Sequence, residues 1–131
     1  MLKRPEEAGS LKVGSYIVID DEPCKIVSID KSKTGKHGSA KVRIVAIGIF
    51  DGKKRTYMGP ADAQVEIPIV EKKNGQIISV TPTSVQVMDL TTYEIFESSF
   101  PEEPELRDKL ASGVNVEYWE ILGRKKIMRI K

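Results

Sequence analysis

Cys24-Lys25-Ile26-Val27-Ser28-Ile29-Asp30-Lys31-Ser32-Lys33-Thr34-Gly35-Lys36-His37-Gly38-Ser39-Ala40-Lys41-Val42-Arg43-Ile44-Val45-Ala46-Ile47 is the stretch that decides the fold of the first half of the chain. Its two ends are β-branched and alternate in the manner of strands, while its middle, Asp30 to Ser39, is polar. Period-two geometry predicts Cys24, Ile26 and Ser28 on one face of the first strand and Lys25, Val27 and Ile29 on the other. The second strand is predicted from Ala40 to Phe50, stopped by Asp51-Gly52. The polar segment is therefore a loop that bridges two strands.

Outward from this pair the same pattern continues. Tyr16 to Ile19 is a strand closed by Asp20-Asp21-Glu22-Pro23, because proline cannot continue a ladder. Lys54 to Met58 and Ala63 to Ile67 flank a predicted Gly59-Pro60 turn, which brings the first part to about five strands, the content of a small barrel. After a short connection near Pro68 to Val70, strands are predicted at Ile77–Val80, Val85–Asp89, Thr92–Phe96, Val114–Ile121 and Lys126–Ile130. Asn74-Gly75 and Pro82-Thr83 mark turns. Pro104 to Ala111 reads as a helix, with proline and glutamate at its start and Gly113 beyond its end. A short helix ahead of the fourth strand is the pattern of an OB-fold. The expected fold class is all-β, two small barrels in tandem spanning 1–69 and 70–131.

Composition narrows the chemistry. With 40% hydrophobic and 31% charged residues, the 131-residue chain is expected to fold rather than to be a disordered tail. No run approaches the roughly 18 apolar residues of a membrane span, and Met1-Leu2-Lys3-Arg4-Pro5-Glu6-Glu7 lacks a secretory apolar stretch. The expected location is cytoplasmic, without a membrane partner. The single Cys24 excludes an internal disulfide and a cysteine-cluster metal site, and the single His37 excludes paired-histidine chemistry, so no metal ligand and no catalytic residue is expected. Residues 1–70 carry 12 Lys/Arg against 9 Asp/Glu, a net of +3, and the remainder 9 against 10, a net of −1. Lys31, Lys33, Lys36, Lys41 and Arg43 lie within a stretch that has no acid, a local attraction for polyanions.

The Gly35-Lys36 pair invites comparison with a nucleotide-binding phosphate loop, but no glycine stands five residues before Gly35, His37 replaces the required Ser or Thr, and a strand follows where a helix is needed. Gly35 and Gly38 permit left-handed backbone and add no bulk, so Lys36 and His37 are presented outward. Residue chemistry leaves two readings open: a solvated hairpin tip whose lysines keep a sheet edge soluble, or a loop that faces nucleic acid. Cys24 is expected in the core. Tyr93, Phe96, Tyr118 and Trp119 suit either base stacking or packing, and packing is favoured because their half of the chain is slightly acidic. Arg124-Lys125-Lys126 reads as a small basic turn.

Ser32-Lys33-Thr34-Gly35-Lys36-His37-Gly38-Ser39-Ala40-Lys41 resembles the hypusine loop of the archaeal translation initiation factor 5A family, homologous to bacterial elongation factor P. Gly48-Ile49-Phe50-Asp51-Gly52-Lys53-Lys54 resembles the segment that follows that loop. The resemblance covers nearly the whole chain and implies an N-terminal SH3-like barrel followed by a C-terminal OB-fold. It implies that deoxyhypusine synthase transfers an aminobutyl group from spermidine to the Lys36 amine, with Gly35, His37 and Gly38 presenting it and no other cofactor. Ser39 stands where eukaryotic members usually carry a second histidine, which leaves open whether deoxyhypusine or hypusine is the end point. The resemblance further implies a non-enzymatic factor that binds the ribosome between its exit and peptidyl sites. Its modified chain would point along the peptidyl-tRNA to help stalled junctions, notably consecutive prolines, form a bond. Lys31, Lys33, Lys41 and Arg43 are the expected contacts to rRNA or tRNA, with no DNA partner. The rival is a general RNA-binding protein that uses the loop unmodified.

Overall fold

Six strands build the first unit of the computed structural model, which describes residues 2–33 and 40–131. They are β1 (Lys3–Glu7), β2 (Tyr16–Ile19), β3 (Glu22–Lys33), β4 (Ala40–Gly48), β5 (Lys54–Pro60) and β6 (Gln64–Pro68), with a 3-10 turn at Ala8–Ser10. β2-β3-β4-β5 form an antiparallel sheet, and β1 pairs with β6 in a second. The result is the expected SH3-like barrel. This unit spans Met1–Ile69, and the second spans Val70–Lys131.

The β2–β3 hairpin closes on the Ile19↔Glu22 pair through Asp20 and Asp21, both left-handed at φ 53° and 62°. Two such residues make the primed turn whose twist matches paired strands, and aspartate is among the few side chains that tolerate it. Pro23 does not end the ladder as expected; it lies inside β3 opposite Val18. Its carbonyl accepts from the Ile49 N–H at 2.9 Å, beyond Cys24↔Gly48 where the β3–β4 ladder stops, so the missing N–H falls where none is needed.

The predicted face assignment of β3 also changes part-way. A bulge between Ile26 and Ser28 leaves Val27 extra and 49% exposed, and moves Ile29 onto the core side with Cys24 and Ile26. Cys24 is fully buried, as expected, among Ile17, Ile26, Val42, Ile44 and Ala46. Each large aliphatic side chain so buried is worth roughly 1.5–3 kcal/mol relative to exposure. β1 has no counterpart among the predicted strands, because Lys3-Arg4-Pro5-Glu6-Glu7 has no apolar period. Its backbone pairs with β6 from Lys3↔Pro68 to Glu7↔Gln64, and an exposed Lys3–Glu66 ion pair at 2.9 Å adds little. Gly59 and Pro60 are the end of β5, paired with Val42 and Lys41, rather than a turn; the reversal comes after them, where Ala63 N–H donates to the Pro60 carbonyl.

In the second unit, β7 (Val70–Val80), β8 (Val85–Asp89), β9 (Ile95–Ser98), β10 (Asn115–Ile121) and β11 (Arg124–Ile130) form one sheet in the order β11-β10-β7-β8-β9, with α1 (Pro104–Asp108) between β9 and β10. This order and the position of the helix are those of an OB-fold. Ile77, Val85, Val87, Val116, Tyr118 and Ile127 fill its core. The predicted Asn74-Gly75 turn is instead the middle of β7. A β-carbon on Gly75 would lie 2.7 Å from Val87 Cγ1 and 3.2 Å from Tyr118 Cδ1, so this glycine serves close packing. β9 starts at Ile95 rather than Thr92, because the Asp89 carboxylate accepts from the N–H groups of Thr91 and Thr92 and holds them in the turn. α1 is shorter than expected: Lys109 and Leu110 donate to Leu106 and Arg107, a tight closing turn that ends it at Asp108. Pro82-Thr83 is a turn as predicted, closed by the Thr81 N–H on the Ser84 carbonyl at 2.9 Å.

Candidate nucleic-acid interface on the first unit

Pairing of β3 with β4 runs out to Ser32↔Lys41 and Lys33↔Ala40. Gly35, Lys36, His37 and Gly38 lie outside the described residues, between these paired ends. The side chain of Lys33 lies outside them too.

The described cations separate onto two faces. Residues opposite each other across a ladder share a face, so Lys41 with Ser32 and Pro60, and Arg43 with Asp30 and Met58, form two adjacent rows on the outer side of β3-β4-β5. Lys31 pairs with Val42, whose side chain is buried in the core, and so belongs to the other face. There its ammonium donates to the Gly9 carbonyl at 2.7 Å and ties β3 to the 3-10 turn. Lys41 and Arg43 are both exposed, and no ion pair joins either to a described residue.

The outer rows line a groove of about 610 Å³ that includes Asp30, Ser32, Lys41, Arg43, Met58 and Pro60. Met58 is 70% exposed. Sequence reading missed Met58 and Pro60 as site residues. Their only signal is alternation within β5, and it becomes useful once the β4–β5 register is known.

Beyond β4 the chain turns through Ile49 to Lys53, held by a forked pair in which Arg55 Nη1 and Nη2 donate to Asp51 Oδ1 and Oδ2 at 3.0 and 2.8 Å. Hydrogen bonding from Arg55, then from the Lys53 N–H, holds the Asp51 carboxyl well below the usual carboxylate range. Gly48 is required beside this pair, since a β-carbon there would sit 2.0 Å from Asp51 Oδ1. Burial pushes the Cys24 thiol up, away from reactivity.

In the second unit the aromatic side chains are mostly committed to packing. Tyr118 is buried and its hydroxyl donates to Asp89; its ring lies 4.8 Å from that of Phe96, while Lys72 sits 4.9 Å over Trp119. Tyr93 alone of the four is open, at 69% exposure. Arg124-Lys125-Lys126 is not the turn itself: the turn is Leu122-Gly123, and the three cations begin β11. Among the described residues no group of three or more His, Cys, Asp or Glu side chains is placed to hold a metal, and no helix is long and apolar enough to cross a membrane.

Residues 3–63 match the family model described as translation initiation factor 5A-like, N-terminal, and residues 69–131 match that described as eukaryotic elongation factor 5A hypusine, DNA-binding OB fold. The chain belongs to the translation initiation factor 5A family. Translation initiation factor 5A of Thermofilum pendens is 56% identical over 131 residues, covering 100% of this chain and 99% of the relative. That of Pyrococcus furiosus is 56% identical over 131 residues, with 98% and 95% covered. A solved structure of the factor from Methanococcus jannaschii superposes with a TM-score of 0.90 at 43% identity, covering 99% of this chain and 98% of the other. These relatives carry the names of translation factors and not of enzymes. Of the motif that resembles the hypusine loop, the described residues Ser32, Lys33, Ala40 and Lys41 pair at the end of the β3–β4 ladder.

Proposed function

We propose that this family member is a cytoplasmic, ribosome-binding factor that promotes peptide-bond formation at stalled junctions such as consecutive prolines, through Lys36 converted to deoxyhypusine or hypusine. The observation that carries the reading is the register Lys33↔Ala40. It pairs the described residues on either side of 34–39, the centre of the hypusine-like motif in sequence, and Lys41 and Arg43 next to that pair are exposed. In the modification, the Lys36 amine nitrogen gains a bond to the butyl carbon that spermidine's secondary nitrogen holds, as that secondary-amine C–N bond breaks. The aminobutyl group is transferred, 1,3-diaminopropane leaves, and there is no net oxidation. The product is a longer side chain with a second protonated nitrogen.

A cation of that reach acts by neutralising phosphate and holding the peptidyl-tRNA end in a reactive geometry, not by supplying a base. Lys41 and Arg43 would meet rRNA or tRNA phosphates from the outer face, and contacts of that kind position a factor without reading sequence. Peptide mass analysis of the protein from its native cells is expected to find an aminobutyl-sized increment on Lys36. Plain lysine there would overturn the modified-lysine mechanism. In reconstituted translation, Lys36→Ala is expected to fold normally and to fail on a polyproline template.

A further inference from the structure

From Asn74 to Leu106 the chain contains no Lys or Arg, while Asp89, Glu94, Glu97, Glu102, Glu103 and Glu105 are acidic. The β8–β9 hairpin lies inside this segment. Its Val87↔Phe96 pair faces the core, so the neighbouring pairs Gln86↔Glu97 and Met88↔Ile95 face outward. Ile95 on that outer face is 58% exposed, and in the turn that joins the two strands Leu90 and Tyr93 are 36% and 69% exposed, so exposed apolar side chains lie close in sequence to the exposed Glu94 and Glu97. Tyr93 is held there at φ +63°, a conformation that costs a bulky residue roughly 1 kcal/mol or more and that glycine or asparagine would adopt more easily. Lys125, the cation that reaches this hairpin from β11, lies over the inner-face Phe96 ring and near Glu120 Oε1 at 3.8 Å.

We propose that the β8–β9 hairpin, through Met88, Ile95 and Glu97 on its outer face and Leu90 and Tyr93 in its turn, docks a polypeptide segment carrying Lys or Arg beside apolar side chains. Charge complementarity selects this occupant. A phosphate backbone would meet Glu94 and Glu97 on this hairpin, and a second copy of the chain docked through the same hairpin would bring like charges face to face. An exposed tyrosine with flanking aliphatic groups supplies the apolar anchor that protein interfaces favour, and the carboxylates set orientation at its rim. The surface is separate from the cationic groove of the first unit, so one factor would present RNA with one barrel and a basic protein with the other.

The test is amide NMR on the full chain with three probes: a synthetic peptide alternating arginine and leucine, oligouridylate, and dilution of the protein alone. The peptide is expected to shift the amides of Leu90 to Glu97. The double substitution Tyr93→Ser/Ile95→Ser is expected to weaken it about tenfold or more, with the dispersion of the spectrum unchanged, and Glu97→Lys to weaken it further. Larger shifts of these amides with oligouridylate would make the face an RNA surface, and shifts that follow protein concentration would make it a self-association surface. Either result overturns the proposal, as does peptide binding that bypasses Leu90 to Glu97 or is indifferent to the double substitution.

Discussion

Replacing Asp89 by Asn is expected to remove a defined share of the acid-sensitive stability of the second unit. Asp89 is 5% exposed; its Oδ2 accepts from the Tyr118 hydroxyl, and its Oδ1 accepts from the Thr91 and Thr92 N–H groups at 2.7 and 2.8 Å. These bonds, the Tyr118 one foremost, hold its carboxyl down to about 2 against an ordinary 3.8. At ~1.4 kcal/mol per pH unit the difference corresponds to about 2.5 kcal/mol of folding stability. Because the folded-state value is the lower one, this contribution is fully present above about pH 4 and is lost as pH falls towards 2.

Trp119, the single tryptophan, lies in β10 beside Tyr118 and reports this unit, so urea unfolding followed by its fluorescence at a series of pH values is the assay. Wild type is expected to lose most of this contribution as pH falls from about 4 to about 2 and the rest below that, and Asp89→Asn to show a flatter acid limb. A cycle with Tyr118→Phe is expected to give a coupling of about 1.5–3 kcal/mol, the range for a hydrogen bond to a charged group. An acid limb unchanged in Asp89→Asn, or a coupling indistinguishable from zero, would refute the assignment of Asp89 and Tyr118 as a stabilising pair.

Four other outcomes follow from packing and charge. Gly75→Ala places a methyl group against Val87 and Tyr118 and is expected to cost about 1–3 kcal/mol in the same unfolding assay; unchanged stability would show that β7 and Tyr118 can separate freely. Gly48→Ala is expected to break the Asp51–Arg55 fork and let the Asp51 carboxyl rise back towards its ordinary range, visible in a carbon-detected NMR titration. Lys41→Glu with Arg43→Glu is expected to weaken ribosome binding and to flatten its dependence on log salt by roughly one for each phosphate no longer neutralised. Lys31→Ala, whose ammonium is engaged by the Gly9 carbonyl, is expected to leave the salt slope unchanged and to lower stability by about 0.5–1.5 kcal/mol.

Strand content, the OB-like position of the helix and the burial of Cys24 are legible in the sequence because alternation and turn residues are local signals. The loop motif is legible through its family resemblance. The misreadings share a different cause. Pro23, Asn74-Gly75 and Gly59-Pro60 read as punctuation because proline and glycine usually break strands, yet each sits in a ladder where its neighbours make it harmless or useful. Pro23 falls where pairing with β4 has ended, and Gly75 falls under a tyrosine ring from β10. β1 is invisible in sequence because a polar edge strand is held by backbone bonds to a partner about sixty residues away, and no local pattern encodes that partner.

The linear order of residues determined by itself that this is a tandem all-β chain, and that Gly35 and Gly38 flank Lys36 in a basic stretch of sequence, since composition, period and motif need no partner to be read. Which cations share a face was decided only by tertiary structure. The five cations of the loop region look like one cluster in sequence. The bulge at Val27 and the β3–β4–β5 register send Lys31 to the Gly9 carbonyl and put Lys41 and Arg43 beside Met58 and Pro60 on the outer sheet. Facing in a sheet is a property of pairing: a single inserted residue reverses every side chain beyond it, and nothing in the strand's own composition reports the insertion.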